Sequence, residues 1–169
     1  MKNYSALPYY SLLLIFCISL LSINKLSAQE NNIYEVQQNE VAKSTSKNDN
    51  NRKRFYDLTF NLHTTLYIEN NKVKVTYGSG EPIKLTFADS KSFNWLKNNS
   101  KTNTIELITI TLNNRNDLNN LLDLSNNNDF KSLKYVYVKC NFDCSEKDIE
   151  KFIKVNHNVR VFYSNQTPS

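Results

Sequence analysis

Ile105–Asn113 (IELITITLN) and Leu133–Asn141 (LKYVYVKCN) are the stretches from which the fold can be read. In the first, Ile108 and Ile110 alternate with Thr109 and Thr111. In the second, Val136 and Val138 alternate with Tyr135, Tyr137 and Lys139. A period of two marks strands with one apolar face. Helix signals flank them. Asp117 can open a helix carrying Leu118, Leu121, Leu122 and Leu124. Ser145 with Asp148 forms a capping-box pattern ahead of Ile149, Phe152 and Ile153. Ile83, Leu85 and Phe87 give an earlier strand, after which Asp89 or Ser90 can cap a short helix with Phe93 and Leu96 inward. Val159, Val161 and Tyr163 close the series. Strands alternating with helices predict parallel strands joined by helical crossovers.

Upstream, Leu58, Phe60, Leu62, Thr64, Leu66 and Ile68 alternate with polar neighbours, which predicts one strand or two in line. Asn70-Asn71 then supplies a tight turn, because asparagine tolerates positive φ, and Val73, Val75 and Tyr77 return. The expected fold class is α/β: an N-terminal antiparallel β-hairpin, then β-α units forming a mainly parallel sheet with helices on one side.

The amino end has the parts of a secretory signal. Lys2 gives the charge, Ser11–Ile23 the apolar run, and Leu26-Ser27-Ala28 a cleavage site before Gln29. The run of about 13 residues falls short of the roughly 20 that a spanning helix needs, so cleavage is expected rather than retention as an anchor. Phe16 stands where a lipoprotein signal ending at Cys17 wants a small residue. The expected organisation is a signal peptide at 1–28, a flexible polar leader at 29–54, one globular domain at 55–165 and a tail at 166–169. Export to the periplasm or extracellular space follows, with no stable membrane span after cleavage. Losing Lys2 and Lys25 lowers the formal charge from +5 to +3. That is too mild a field for a nucleic-acid binder.

Cys140 and Cys144 are the cysteines left in the mature chain. Outside the cytoplasm such a pair is either a disulfide or two separate thiols. Asparagine occurs 27 times and glycine twice, a bias from which no function is drawn.

The phrase Ile105-x-x-Ile108-x-Ile110-x-x-Asn113 recurs as Leu133-x-x-Val136-x-Val138-x-x-Asn141. Degraded copies run Pro82-x-x-Leu85-x-Phe87-x-x-Ser90 and Asn156-x-x-Val159-x-Val161-x-x-Ser164. Over residues 82–164 this resembles leucine-rich repeats. The resemblance implies a short stack of strand–helix units, with Asn113 and Asn141 bonding backbone groups along it. A plain α/β sandwich accounts for the same alternation.

Chemistry-bearing motifs are few. The two glycines, in Gly78-Ser79-Gly80, make neither a phosphate loop nor a dinucleotide fingerprint, and no G-x-S-x-G elbow occurs. His63 and His157 have no ligand partners at metal spacing, so neither metal nor cofactor is expected. His63 is taken as a solvated strand residue. Cys140-x-x-x-Cys144 is one residue wider than the redox C-x-x-C, and Asp143 and Asp148 oppose a thiolate there. No catalytic residue is assigned.

Alternation turns Tyr135, Tyr137, Lys139, Arg160 and Phe162 to the sheet face away from the predicted helices. If that face is open, aromatics beside cations suit partner binding; if it is covered, the rings are core. The expected function is an exported, non-catalytic interaction module holding a protein or glycan of the envelope or extracellular space. The alternative is a small envelope enzyme without a recognisable phrase.

Overall fold

The computed structural model describes residues 33–36, 50–97, 103–125 and 130–166, which lie in one compact unit, Asn32–Ser169. The expected signal peptide, residues 29–32 and 37–49 of the expected leader and the tail beyond Gln166 lie outside the described residues. In chain order the elements are β1 (Ile33–Glu35), α1 (Asn50–Phe60), β2 (Thr65–Glu69), β3 (Lys72–Tyr77), β4 (Lys84–Phe87) and α2 (Asn94–Lys97). There follow β5 (Leu107–Leu112), a 3-10 helix (Arg115–Asn119), β6 (Leu122–Asp123), β7 (Tyr135–Cys140), α3 (Glu146–Phe152), β8 (Ile153–Lys154) and β9 (Arg160–Asn165).

The protein is α/β with a mainly parallel sheet of seven strands, ordered β1-β9-β7-β5-β4-β2-β3. β2 and β3 pair antiparallel, and every other neighbour in that sheet is parallel. Asn70 and Asn71 take φ of 51° and 58°, forming the tight turn that the sequence predicts between β2 and β3. β6 and β8 form a separate two-stranded ribbon.

Register stacks the apolar positions in rows. Leu66, Leu85, Ile108, Val136 and Val161 lie side by side, as do Ile68, Phe87, Ile110, Val138 and Tyr163. Trp95, Leu96, Phe130, Ile149 and Phe152 close over these rows as the larger core. Val136 pairs with Val161 rather than Val159, so the fourth copy of the repeated phrase is displaced by two residues.

Ser145 caps α3 as the sequence predicts. Its side chain accepts from the Asp148 N–H while Asp148 Oδ2 accepts from the Ser145 N–H at 2.9 Å. The helix expected from Asp117 is instead one 3-10 turn capped by Asn114. Asp117 sits inside it, accepting from the N–H groups of Asn113 (2.7 Å) and Asn114 (3.1 Å) and from the Ser90 hydroxyl (3.0 Å). Leu121 is exposed, and Leu122 joins β6. Asn113, Asn114, Asn116, Asn119 and Asn120 crowd that turn. Asparagine side chains compete for backbone hydrogen bonds, as Asn114 does in accepting from the Asn116 N–H, which disfavours a longer helix.

Two further expectations are corrected. Leu58 and Phe60 lie on helix α1, not on a strand, and only Thr65–Glu69 of the alternating run is extended. The leader is also not structureless where it is described. Ile33–Glu35 pairs with β9, and the chain is already helical from Asn50.

Both corrections have one topological cause. β4, β5, β7 and β9 advance in one direction across the sheet, with their connections on one face. The link from β1 to β2 runs back the opposite way. Crossovers keep a right hand, so a connection of reversed direction passes over the opposite face. α1 therefore lies on the face opposite α2 and α3, and the helices are not all on one side. A chain crossing apolar surface must satisfy its own backbone groups, which a helix does internally.

Candidate functional site

Helix α1 covers much of the face the sequence left undecided. Its Phe55 is fully buried and stacks on Phe162, with ring centres 3.8 Å apart and planes 14° apart. The same ring meets Tyr137 edge-on at 5.5 Å and Tyr135 at 5.9 Å. Leu58 and Tyr56 complete a second core with Leu107 and Val36. Tyr135, Tyr137 and Phe162, the rings of the candidate partner-binding set, are thus buried, which is the covered alternative of the two. The Tyr137 hydroxyl lies 2.8 Å from Ser164 Oγ, and burial raises the Tyr137 pKa.

The two cations of that expected set are half-buried. Lys139 Nζ lies 5.4 Å from the centre of the Tyr137 ring, and desolvation lowers its pKa. Arg160 pairs across the sheet with Tyr135. Cys140, the last residue of β7, and Cys144, just before α3, are joined as a disulfide with Cα atoms 6.4 Å apart.

At the edge of α1 a charged cluster locks the helix to the start of β5. Arg54 donates from Nε and Nη2 to the two carboxylate oxygens of Glu106, at 3.2 and 2.6 Å, and from Nη1 to Asp57. Lys134 Nζ adds a 3.0 Å bond to Glu106. The hydrogen bond from Arg54 holds the Glu106 carboxyl below its usual pKa. Asp57 is held low first by Asn61, then by the charges of His63 and Arg54. His63 is not on a strand. It lies in the loop after α1, half-buried, with Nε2 3.2 Å from Asp57 Oδ2.

From His63 outward the surface opens into a groove of about 560 Å³ lined by Leu62, Tyr67, Lys74, Tyr77 and Lys84 among others. A second hollow of about 580 Å³ shares Leu62, His63 and Tyr77 and continues along Gly78, Ser79 and Ile83. Gly78, at φ +88°, lets the backbone pass close to Thr64, where a Cβ would come within 2.9 Å of the Thr64 hydroxyl oxygen. Phe60, Leu62, Val73 and Tyr77 are exposed large apolar residues, and all belong to α1, the loop after it, or the edge strand β3. Tyr67 and Tyr77 meet edge-to-face at 5.3 Å.

The structure thus moves the accessible apolar surface from β7 and β9 to the hairpin end, and leaves Lys139 and Arg160 half-buried on those strands. The sequence had placed Leu62 on a buried strand face, and its full exposure follows from α1 ending at Phe60. Among the described residues no group of histidine, cysteine or carboxylate side chains is placed to hold a metal ion, and no helix is long and apolar enough to cross a membrane. No family model, curated protein or solved structure matches the chain.

Proposed function

We propose that this is an exported, non-catalytic binding module that holds a protein or glycan of the envelope or extracellular space at the hairpin end of its sheet. One observation carries the binding role: the exposed side chains of Leu62 and Tyr77 line one groove together, beside Lys74 and Lys84. Contiguous apolar surface beside cations is a recognition feature in soluble proteins. Export is supported by the apolar run Ser11–Ile23 behind Lys2, and by the Cys140–Cys144 bridge, which persists in oxidising compartments. The strand–helix units of residues 82–164 are a short leucine-rich-repeat-like array in this proposal. Their in-register parallel rows support it, although the 3.0 Å bond from Asn141 Nδ2 goes to the Asn113 side chain and not to the backbone group that the resemblance implies.

The test compares the wild-type chain with a Leu62→Ser, Tyr77→Ser variant, using Leu121→Ser as a control at an exposed leucine elsewhere. Retention of a partner from envelope extract, or of a glycan from an array, should fall at least about tenfold in the double variant only. Thermal unfolding should be unchanged in all three. Equal retention by the double variant and the wild type would refute the site. Amino-terminal sequencing of the protein recovered from cells should begin at Gln29; Met1 on a cytosolic protein would refute export.

A small envelope enzyme is the second function, favoured by the Asp57–His63 pair at the rim of the groove. It requires that His63→Gln abolish turnover of a substrate while partner retention persists.

A further inference from the structure

We propose that the strip of sheet beside α1, between Lys84 of β4 and Lys139 of β7, binds an acidic glycan, with the lysines holding its anionic groups and the half-buried Thr86 and Thr111 its hydroxyls. This rests on the binding role assigned to the hairpin end and names its ligand class.

Alternation puts both lysines on one face, since Leu85, Phe87, Val136 and Val138 all point into the opposite core. Thr86 and Thr109 are cross-strand partners between them, with Tyr67 at one end of that row and Tyr137 at the other. Thr111 stands beside Lys139. Lys84 lies two strands away from Lys139 and four positions lower in register. Strand spacing of about 4.8 Å and a rise of about 3.3 Å per residue put their backbones roughly 16 Å apart. Lys139 Nζ lies over the ring of Tyr137, two residues back along β7. Two cations so spaced on one face suit a ligand carrying an anionic group near each end.

Charge on this face is unevenly settled. Arg54 and Lys134 together balance Asp57 and Glu106, yet neither lysine has a carboxylate at ion-pair distance among the described residues. Burial disfavours both ammonium groups, and at Lys84 the charge of Lys139 adds to that while the charge of Asp57 works the other way. A bound anion relieves both costs. A glycan fits better than an acidic peptide because the half-buried polar groups beside the lysines are the Thr86 and Thr111 hydroxyls. An extended peptide would seek the free backbone edge at β3, whose register against β2 shifts opposite Tyr67 and Ile68 and which carries Lys72 and Lys74.

The experiment titrates the full mature chain with a polyuronate oligosaccharide, dextran sulfate, neutral dextran and poly-glutamate. Both acidic glycans should bind, more weakly as salt rises, and neutral dextran should not. Lys84→Met and Lys139→Met should each weaken glycan binding about tenfold, and Lys84→Arg should retain most of it. Removing a half-desolvated charge does not threaten folding, and Lys84→Gln and Lys139→Gln serve as second variants. Wild-type affinity in the Met and Gln variants, equal binding of neutral dextran, or binding of poly-glutamate alone would each overturn the inference. A chain that ignores both acidic glycans, yet retains a partner that Leu62→Ser, Tyr77→Ser loses, overturns this inference alone and leaves the hairpin-end site standing.

Discussion

At the scale of single residues, Phe55 joins helix to sheet. Its ring touches Tyr135, Tyr137 and Phe162 together, so truncation leaves a cavity bounded by three rings that cannot all move inward. Phe55→Ala should lower unfolding free energy by about 3–5 kcal/mol in urea titrations. Glu106 governs the acid limb. Its folded-state pKa lies below the unfolded one, so its contribution is present above about pH 4 and is lost as pH falls through the folded value. In melts recorded from about pH 6 to pH 2, Glu106→Gln should therefore flatten the decline seen in the wild type. Lys139 has the opposite consequence. Burial lowers its folded pKa below the unfolded value, so its charged form costs stability at neutral pH, a cost that fades as pH rises through the folded value. Lys139→Met should raise the melting temperature at pH 7, and a lower one would contradict the desolvation account.

At the scale of elements, strands were more legible than helices. β4, β5, β7 and β9 follow the alternation of a chain with one buried sheet face, and the α3 cap follows from two side chains three residues apart. α1 was hidden because Leu58, Phe60 and Leu62 keep the same period of two as the strand after them. Its partners, on β5, β7 and β9, are distant in sequence, and local pattern contains nothing about them. The proposed binding surface was missed for the same reason. Once Phe55 claims Tyr137 and Phe162, the apolar surface left outside is the part α1 does not reach. The Cys140–Cys144 bridge pins the end of β7 to the entry of α3. It closes a short loop, so reduction should cost about 2 kcal/mol and leave the rest of the sheet intact. Amide exchange with and without reductant checks this: faster exchange confined to residues 140–152 is expected.

At the scale of the whole molecule, the sheet class follows from sequence because alternating strand and helix signals restrict the choice to parallel crossovers. The position of β1 does not. Ile33, Tyr34 and Glu35 are a short segment in a polar stretch, and only the exposed edge of β9 makes them a strand. Tyr34 meets the Phe162 ring at 5.4 Å, so this edge is sealed by residues from the chain's opposite end. On a ribosome, Ile33 emerges long before Val161 exists. The first strand has no neighbour until the last is made, and a chain that cannot finish its sheet early remains threadable while it is being synthesised.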